Sequence, residues 1–123
     1  LEPVAAVARR RGARWILHLV TKELPAAREL LAVLAPRAVG ARERGAALRA
    51  AGRCVRRMHD EGLRHADLHL KNLLLREGEV FVIDLDRSRL EPDLPRAARV
   101  ANLERLWRFA RRRLELSRGP LSL

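Results

Sequence analysis

The stretch His65-Ala66-Asp67-Leu68-His69-Leu70-Lys71-Asn72, followed by two apolar runs that end at Asp84, decides how this chain folds. The first run is Leu73-Leu74-Leu75, the second, Val80-Phe81-Val82-Ile83, is mostly β-branched, and the polar sequence Arg76-Glu77-Gly78-Glu79 separates them. This pattern predicts an antiparallel hairpin with Gly78 in its turn. Such a hairpin returns Asp84 to the point where its first strand began, beside Asn72.

The length of the hairpin loop decides whether Asn72 and Asp84 face each other. A three-residue loop, residues 77–79, makes Arg76 face Val80 and places Asn72 opposite Asp84, about 5 Å apart between Cα atoms and on one face. A two-residue loop shifts the register by one and turns the two side chains to opposite faces. An amide and a carboxylate oxygen on one face suit Mg2+, which keeps waters and substrate phosphates as further ligands. We therefore predict the longer loop.

Asp67 lies five residues before Asn72, on the loop that enters the first strand, and should project into the same cleft. A carboxylate there can accept the proton of an attacking hydroxyl, while an Asn and an Asp hold magnesium on a nucleotide. Taken singly, Asp67 could cap a turn and His65 could pack in the core. Together, His-x-Asp-Leu-x-x-x-Asn arises by chance in roughly one chain of this length in a few thousand. The combination therefore predicts phosphoryl transfer.

At these residues the sequence resembles the protein-kinase-like superfamily, whose catalytic loop reads His-x-Asp-x-x-x-x-Asn and whose metal-binding Asp follows the next hairpin. The resemblance implies that Asp67 is the catalytic base, that His65 braces its loop, and that Asn72 and Asp84 hold Mg2+ on ATP. The implied fold is α+β: a mainly helical kinase-like C-lobe with a short hairpin beside the catalytic loop, preceded by strands left from an N-lobe.

Within that superfamily the sequence is similar to the lipopolysaccharide-core sugar kinases, which include 3-deoxy-D-manno-octulosonic acid (Kdo) kinase and the heptose kinases. Three segments carry the similarity, which spans about residues 3 to 116: residues 19–27, residues 65–72 together with 83–87, and residues 101–108. It implies ATP-dependent phosphorylation of a sugar hydroxyl on an anionic glycolipid, the lipopolysaccharide inner core, at the cytoplasmic face of the inner membrane. Another small-molecule kinase, such as an aminoglycoside type, is the nearest alternative.

The resemblance also extends the predicted site beyond the catalytic loop. A hinge-like segment implies a nucleotide pocket that includes Lys22, Glu23 and Leu24, with Leu74 contributed by the first strand of the hairpin. Four further candidates would contact the acceptor: His69, Lys71, Asp86 and Arg87. For Lys71, a solvated lysine without a functional role is an equally good explanation.

One feature of the superfamily is missing before the hinge. There is no Gly-rich loop there, and the two lysines, Lys22 and Lys71, are misplaced for holding the nucleotide phosphates. We therefore expect residues 1–24 to be a remnant of N-lobe strands and hinge, residues 25–123 to be a C-lobe, and the fragment alone to be inactive. The alternative is a non-catalytic, kinase-derived fragment that binds a partner through its basic surface.

Composition narrows the choice of partners. The 123 residues suffice for one domain, and the net charge of +11 favours anionic partners. Aromatic residues make up only 3% of the chain and include no tyrosine, which argues against a base-stacking nucleic-acid platform. A single cysteine, Cys54, excludes an internal disulfide and favours a reducing compartment. Because no apolar run approaches about 18 residues, we expect a soluble or peripheral protein.

Hydrophobic spacing predicts the other elements. Strands are expected over residues 3–9 and 14–21, and helices over residues 26–35 and 42–61. In the second helix Leu48, Ala51, Val55 and Met58 form the expected core face, and Gly62 ends it.

The last predicted helix covers about residues 97–116 and carries two stripes. Arginines at 105, 108 and 112 mark one stripe, which we interpret as a solvated surface, with contact to acidic lipid head groups or to acceptor phosphates as the alternative. The other stripe is apolar and is predicted to face the core: Val100, Leu103, Trp107, Ala110 and Leu114.

Overall fold

The structure, a computed structural model, describes residues 3–21 and 23–118 of an α+β chain with antiparallel strands. Strands β1 (Pro3–Arg11) and β2 (Arg14–Thr21) pair in an antiparallel hairpin. Gly12 in their turn has a φ of +65°, which a residue without a Cβ adopts readily. Both predicted N-terminal strands are confirmed, and the first runs two residues further than expected.

The predicted helix over residues 26–35 is largely wrong. Strand β3 (Arg28–Glu29) occupies its first half, and only the single turn α1 (Leu30–Val33) is helical. Strand β3 pairs with the strand β5 (Leu73–Arg76), which gives the backbone of Arg28 and Glu29 sheet partners. Tertiary pairing thus outweighs the helix propensity of this Ala-rich segment.

Helix α2 (Ala41–Asp60) matches its predicted bounds within one residue at each end. It buries Ala51, Val55 and Met58 as expected, but Leu48 is 51% exposed, so its assignment to the core is wrong. Gly62 has a φ of +84°, and a Cβ there would collide with the carbonyl oxygen of Glu91. That close approach, besides the helix end, requires glycine at this position.

The hairpin of β5 and β6 (Glu79–Val82) is confirmed, but its predicted register is wrong. The loop has two residues, Glu77 and Gly78, with φ of +49° and +79°, and Arg76 pairs with Glu79. Positive φ at both loop residues gives the turn whose twist matches that of the strands. The observed register sets opposite charges across the hairpin end, where a three-residue loop would set Arg76 against Val80. It also gathers four apolar side chains on one face. These are Leu73, Leu75, Val80 and Val82.

The core lies between α1, α2 and this sheet. Leu30, Val33, Leu68 and Leu73 are each at most 1% exposed. Burial of one such side chain contributes about 1.5–3 kcal/mol to folding. Because Leu68 lies in the middle of the predicted catalytic loop and Leu73 follows its last residue, the core holds this loop in place.

A small sheet and a long helix complete the described fold. Strand β4 (Leu63–Arg64) pairs with β7 (Arg89–Leu90), and helix α3 covers Arg96–Arg118. The predicted apolar stripe of α3 is largely wrong, since Val100, Leu103 and Trp107 are 42%, 47% and 65% exposed. Its buried side carries Ala98 and Asn102, with partly buried residues further along: Leu106, Phe109 and Ala110.

No helix in the described ranges has both the length and the apolar character that crossing a bilayer requires.

Candidate active site

Asn102 fixes the predicted catalytic loop, residues 65–72, to helix α3. Its Nδ2 donates to the carbonyl oxygen of His65 at 2.8 Å, and its Oδ1 accepts from the backbone N–H of His65 at 3.1 Å. A backbone N–H can only donate and a carbonyl can only accept, so this pairing fixes the orientation of the amide. The same Oδ1 lies 3.2 Å from Nε2 of the buried His59, which must therefore donate to it. These bonds set the rotation of α3 about its axis and explain why the side that carries Asn102 faces inward, although the stripe through Leu103 and Trp107 is more apolar.

His65 connects the loop to the segment that follows the hairpin. It is 1% exposed, and its Nδ1 accepts from the backbone N–H of Asp67 at 2.9 Å. Its proton is therefore on Nε2, which lies 2.9 Å from the carbonyl oxygen of Ile83 and donates to it. One imidazole thus holds Asp67 and the residue before Asp84 at a fixed separation.

A second link closes the Asp84–Arg87 segment against the same loop. The backbone N–H of Ala66 donates to Oγ of Ser88 at 3.1 Å, and the N–H of Ser88 donates to the carbonyl of Leu85 at 3.0 Å. Asp84 and Arg87 have φ of +57° and +61°, a region that non-glycine residues adopt at a cost of about 1–3 kcal/mol. Such backbones are concentrated at functional sites, where the surrounding structure maintains them.

Asp67 is held at both carboxylate oxygens. Nη2 of Arg105 donates to its Oδ1 at 2.7 Å, and Nε2 of His69 lies 3.3 Å from its Oδ2. The hydrogen bond from Arg105 lowers the pKa of Asp67, burial opposes this, and the charges of His69 and Arg105 add to the lowering. Asp67 is therefore ionised at neutral pH, and the stabilisation from this pairing is lost only as the pH falls through the lowered pKa.

His69 is oriented by three neighbours. Its Nδ1 accepts from the backbone N–H of Lys71 at 3.2 Å, which places the proton on the Nε2 that faces Asp67. Its ring stacks on Phe109 of α3, with centroids 4.6 Å apart and planes 17° from parallel. Because both Nε2 of His69 and Nδ2 of Asn72 then carry hydrogen, their 3.3 Å separation is a contact and not a hydrogen bond.

Asn72 ends the 3-10 turn Leu70–Asn72 and is 6% exposed. Its Nδ2 donates to the carbonyl oxygen of Asp67 at 2.9 Å. The amide is thereby oriented with Oδ1 as the atom able to bind a cation. This is the donor chemistry that Mg2+ prefers.

The two-residue hairpin loop changes the predicted relation of Asn72 to Asp84. Asn72 lies opposite Ile83, whose N–H donates to its carbonyl at 2.9 Å, so Asp84, the predicted partner, lies one residue beyond the observed one. Strand β6 ends at Val82 and Asp84 has a positive φ, so strict alternation of faces does not extend to its side chain. Among the described residues there is no cluster of three or more His, Cys, Asp or Glu side chains suited to a metal. Asn72 and Asp84 fit Mg2+ only as a partial ligand set that phosphates and waters would complete.

A cavity of about 480 Å3 opens beside Asp67, and we call it the α3 arginine cavity. Asp67 and His69 line it from the catalytic loop. Helix α3 supplies the remaining residues, at spacings of three and four that share a helix face: Arg105, Arg108, Phe109, Arg112 and Arg113.

The other predicted site residues lie around this centre or outside it. Lys71 is exposed at the start of the hairpin, and Asp86 and Arg87 are exposed on the turn after Asp84. Leu74 is partly buried in β5, between Glu29 of β3 and Phe81 of β6. Exposed Glu23 and partly buried Leu24 belong to the irregular segment before β3, and Lys22 lies outside the described residues.

Sequence reasoning missed Asn102 and the contact of Arg105 with Asp67. The buried stripe through Ala98, Asn102 and Leu106 has helical spacing too, but its central asparagine makes it look like a surface stripe. An isolated polar residue within an otherwise apolar stripe was the available signal, because such residues are retained where a buried backbone group needs a partner.

Comparison with known proteins identifies the family. A family model described as the lipopolysaccharide kinase (Kdo/WaaP) family matches residues 1–118, nearly the whole chain. The chain belongs to this family, as the resemblance predicted.

The curated relatives bear a more specific name. Proteins named 3-deoxy-D-manno-octulosonic acid kinase are 30% identical over 107 residues in Vibrio cholerae and 37% identical over 108 residues in Stenotrophomonas maltophilia. Each alignment covers 86% of this chain but only 43% and 41% of the respective relative. The chain thus spans less than half the length of these relatives. No solved structure matches it.

Proposed function

We propose that this chain forms the catalytic C-lobe, residues 25–123, of an ATP-dependent kinase that phosphorylates a sugar hydroxyl, of Kdo or heptose, in the lipopolysaccharide inner core. The observation that carries the proposal is the pair of links from His65, which hold ionised Asp67 beside the segment that begins at Asp84. Family membership and the names of the curated relatives support the sugar acceptor. Residues 1–24 would then belong to the N-lobe and hinge.

In this mechanism Asp67 orients the acceptor hydroxyl and accepts its proton as phosphoryl transfer proceeds. Arg105 and His69 keep both carboxylate oxygens directed to one place, and each oxygen retains a lone pair for the hydroxyl. The lowered pKa of Asp67 keeps it in the ionised form that this role requires.

Asn72 and Asp84 are the residues that would hold Mg2+, which supplies charge neutralisation on the nucleotide phosphates when bound. Glu23, Leu24 and Leu74, with Lys22 before them, would contact the nucleotide. Four residues near the reacting groups would contact the acceptor: His69, Lys71, Asp86 and Arg87.

Binding of magnesium and ATP tests the proposal most directly. Asp84→Asn is expected to weaken the Mg2+-dependent part of ATP binding by about tenfold or more, because a charged metal ligand is lost. Calorimetric titration with and without EDTA measures this, on the 123-residue chain and on the chain joined to any in-frame sequence encoded upstream. Asp93→Asn is the matched control, since Asp93 is exposed and also has a positive φ of +53°.

Unchanged Mg2+-dependent binding in Asp84→Asn would contradict the metal assignment. Absence of nucleotide binding from both polypeptides would favour the alternative of a non-catalytic fragment.

The proposal also places the protein at the cytoplasmic face of the inner membrane, in peripheral contact with it. An apolar groove of about 490 Å3 lies between α2 and α3, and Leu48, Leu103 and Trp107 on its walls are half-exposed or more. Helix α2 has six arginines and two acidic residues and α3 has eight and two, so these helices carry ten of the eleven net positive charges. Exposed apolar side chains within a basic surface suit an anionic lipid interface.

Fluorescence of Trp107 measures this contact. With Trp15→Phe as background, phosphatidylglycerol vesicles are expected to shift Trp107 emission to shorter wavelength and brominated lipid to quench it, whereas phosphatidylcholine vesicles have little effect. Trp107→Ala is expected to weaken vesicle binding roughly tenfold, while Leu90→Ala, an equally exposed apolar residue elsewhere, has little effect. Salt-sensitive binding without a change in Trp107 emission would contradict insertion of this surface.

A further inference from the structure

The α3 arginine cavity has a strong excess of positive charge. Four of its lining side chains are guanidinium groups, and Asp67 is the single carboxylate among the described residues that line it. His69 adds no negative charge to the cavity. The surplus is thus three positive charges within a space of about 480 Å3.

The excess positive charge in this cavity does not stabilise the fold. Arg108 and Arg112 are one helical turn apart, where like charges repel each other. Arg105 and Arg113 have local roles, the first bonding to Asp67 and the second lying 5.4 Å above the ring of Phe109. Both Arg108 and Arg112 are exposed and line the cavity beside that pair. An anionic ligand between Arg108 and Arg112 would offset their mutual repulsion, because both guanidinium groups would be attracted to it.

The walls also indicate the size and shape of the ligand. The volume lies within the range of about 300–1,000 Å3 found for small-molecule sites, so it exceeds what a bare inorganic anion needs. The stacked rings of His69 and Phe109 form a flat, rigid wall next to Asp67. A sugar ring can lie along that wall through its C–H groups while its acid substituents reach guanidinium groups, which bind carboxylate and phosphate in a two-pronged geometry.

We propose that the α3 arginine cavity is the subsite that selects the acceptor: it binds a sugar unit through at least two ionised acid groups, carried by that sugar or by the residues linked to it, with Arg108 and Arg112 as specificity-determining residues and Arg105 as a positioning residue. The inference rests on the proposed function, because Asp67 is the group toward which the sugar hydroxyl is directed. Arg105 couples the two parts, since it lines the cavity and holds Oδ1 of Asp67 at 2.7 Å. The site that binds the acid groups therefore lies next to Asp67, which receives the proton.

Binding measured without nucleotide tests the subsite independently of catalysis. The probes are glucose, glucuronic acid and glucuronic acid 1-phosphate, which carry zero, one and two acid groups on one ring. NMR titration of the 123-residue chain is expected to show affinity rising along the series. Arg108→Gln and Arg112→Gln should each weaken binding of the doubly acidic probe at least tenfold and leave the weak binding of glucose unchanged.

Two further variants separate specific recognition from general charge. Arg49→Gln removes the same charge from an exposed position on α2 and is expected to change the affinity less than twofold. Arg112→Lys keeps the charge but loses the two-pronged geometry, and should recover only part of the affinity. Equal weakening by Arg49→Gln, or equal affinity for glucose and glucuronic acid 1-phosphate, would overturn the proposal.

These experiments distinguish failure of the subsite proposal from failure of the proposed kinase function. Arginine-dependent binding of the acidic sugar with no phosphoryl transfer in any polypeptide would uphold the subsite and reject the kinase. Transfer that proceeds equally well to neutral sugars and is insensitive to Arg108→Gln and Arg112→Gln would do the reverse.

Discussion

Replacing Asp67 by asparagine is expected to lower the rate of phosphoryl transfer by about 10²–10⁴, the range found when a positioned acid–base group is removed. The amide keeps the shape of the side chain and can still accept a hydrogen bond from Arg105, but it cannot take the proton of the acceptor hydroxyl. ATP binding should change by less than about twofold, because Asn72 and Asp84, not Asp67, are the proposed metal ligands. Steady-state kinetics with ATP and Kdo, on the chain joined to any in-frame sequence encoded upstream, measure both quantities.

The control for this experiment is again Asp93→Asn, which should leave the rate unchanged. Since the pKa of Asp67 is lowered, the acid limb of kcat/KM that it causes should lie below the ordinary carboxyl range, about pH 4. Arg105→Gln removes the first cause of that lowering and should move the limb to higher pH. Undiminished transfer by Asp67→Asn would remove this residue from the mechanism.

Replacing Asn102 by alanine is expected to destabilise the protein by about 3–5 kcal/mol, since each buried polar group left without a partner costs about 1–3 kcal/mol. The affected groups are the N–H and carbonyl of His65 and Nε2 of His59. Because Asn102 also sets the position of the loop, phosphoryl transfer should fall even at temperatures where the variant remains folded. Urea unfolding followed by circular dichroism gives the free energy of unfolding.

Glu104→Ala provides the comparison on the same helix. Glu104 is exposed, and its loss should change the free energy of unfolding by no more than about 0.5 kcal/mol. If the Asn102 and Glu104 variants unfold at the same urea concentration, the amide does not anchor the loop to α3.

Predictions from the sequence were correct where the pattern was local. The hairpin followed from two apolar runs around a polar segment with glycine, and helix α2 from its spacing and from Gly62. Prediction from the sequence failed where two local conformations were nearly equivalent, as in the loop of this hairpin. Two- and three-residue loops both begin at Glu77, and the choice depended on which register buries Leu73 and Leu75 with their cross-strand partners.

Helix α3 shows the same limit on a larger scale. Two stripes with similar helical spacing run along this helix. The stripe through Leu103 and Trp107 is the more apolar, so hydrophobicity alone predicts that it faces the core. The structure turns this stripe outward because the backbone of His65 needs the amide of Asn102. The same rotation carries Arg105 to Asp67 and creates the α3 arginine cavity.

The sequence by itself determined the family, the order of the polar groups along the catalytic loop, and the hairpin that follows it, because each depends on residues close together in the chain. Only the tertiary structure decided the register of that hairpin, the rotation of α3, and the charged partners of Asp67. The rotation of α3 and the contact of Arg105 with Asp67 depend on pairing between residues about 40 positions apart. The register depends on which strand residues the core buries, so none of these features can be read from neighbouring residues alone.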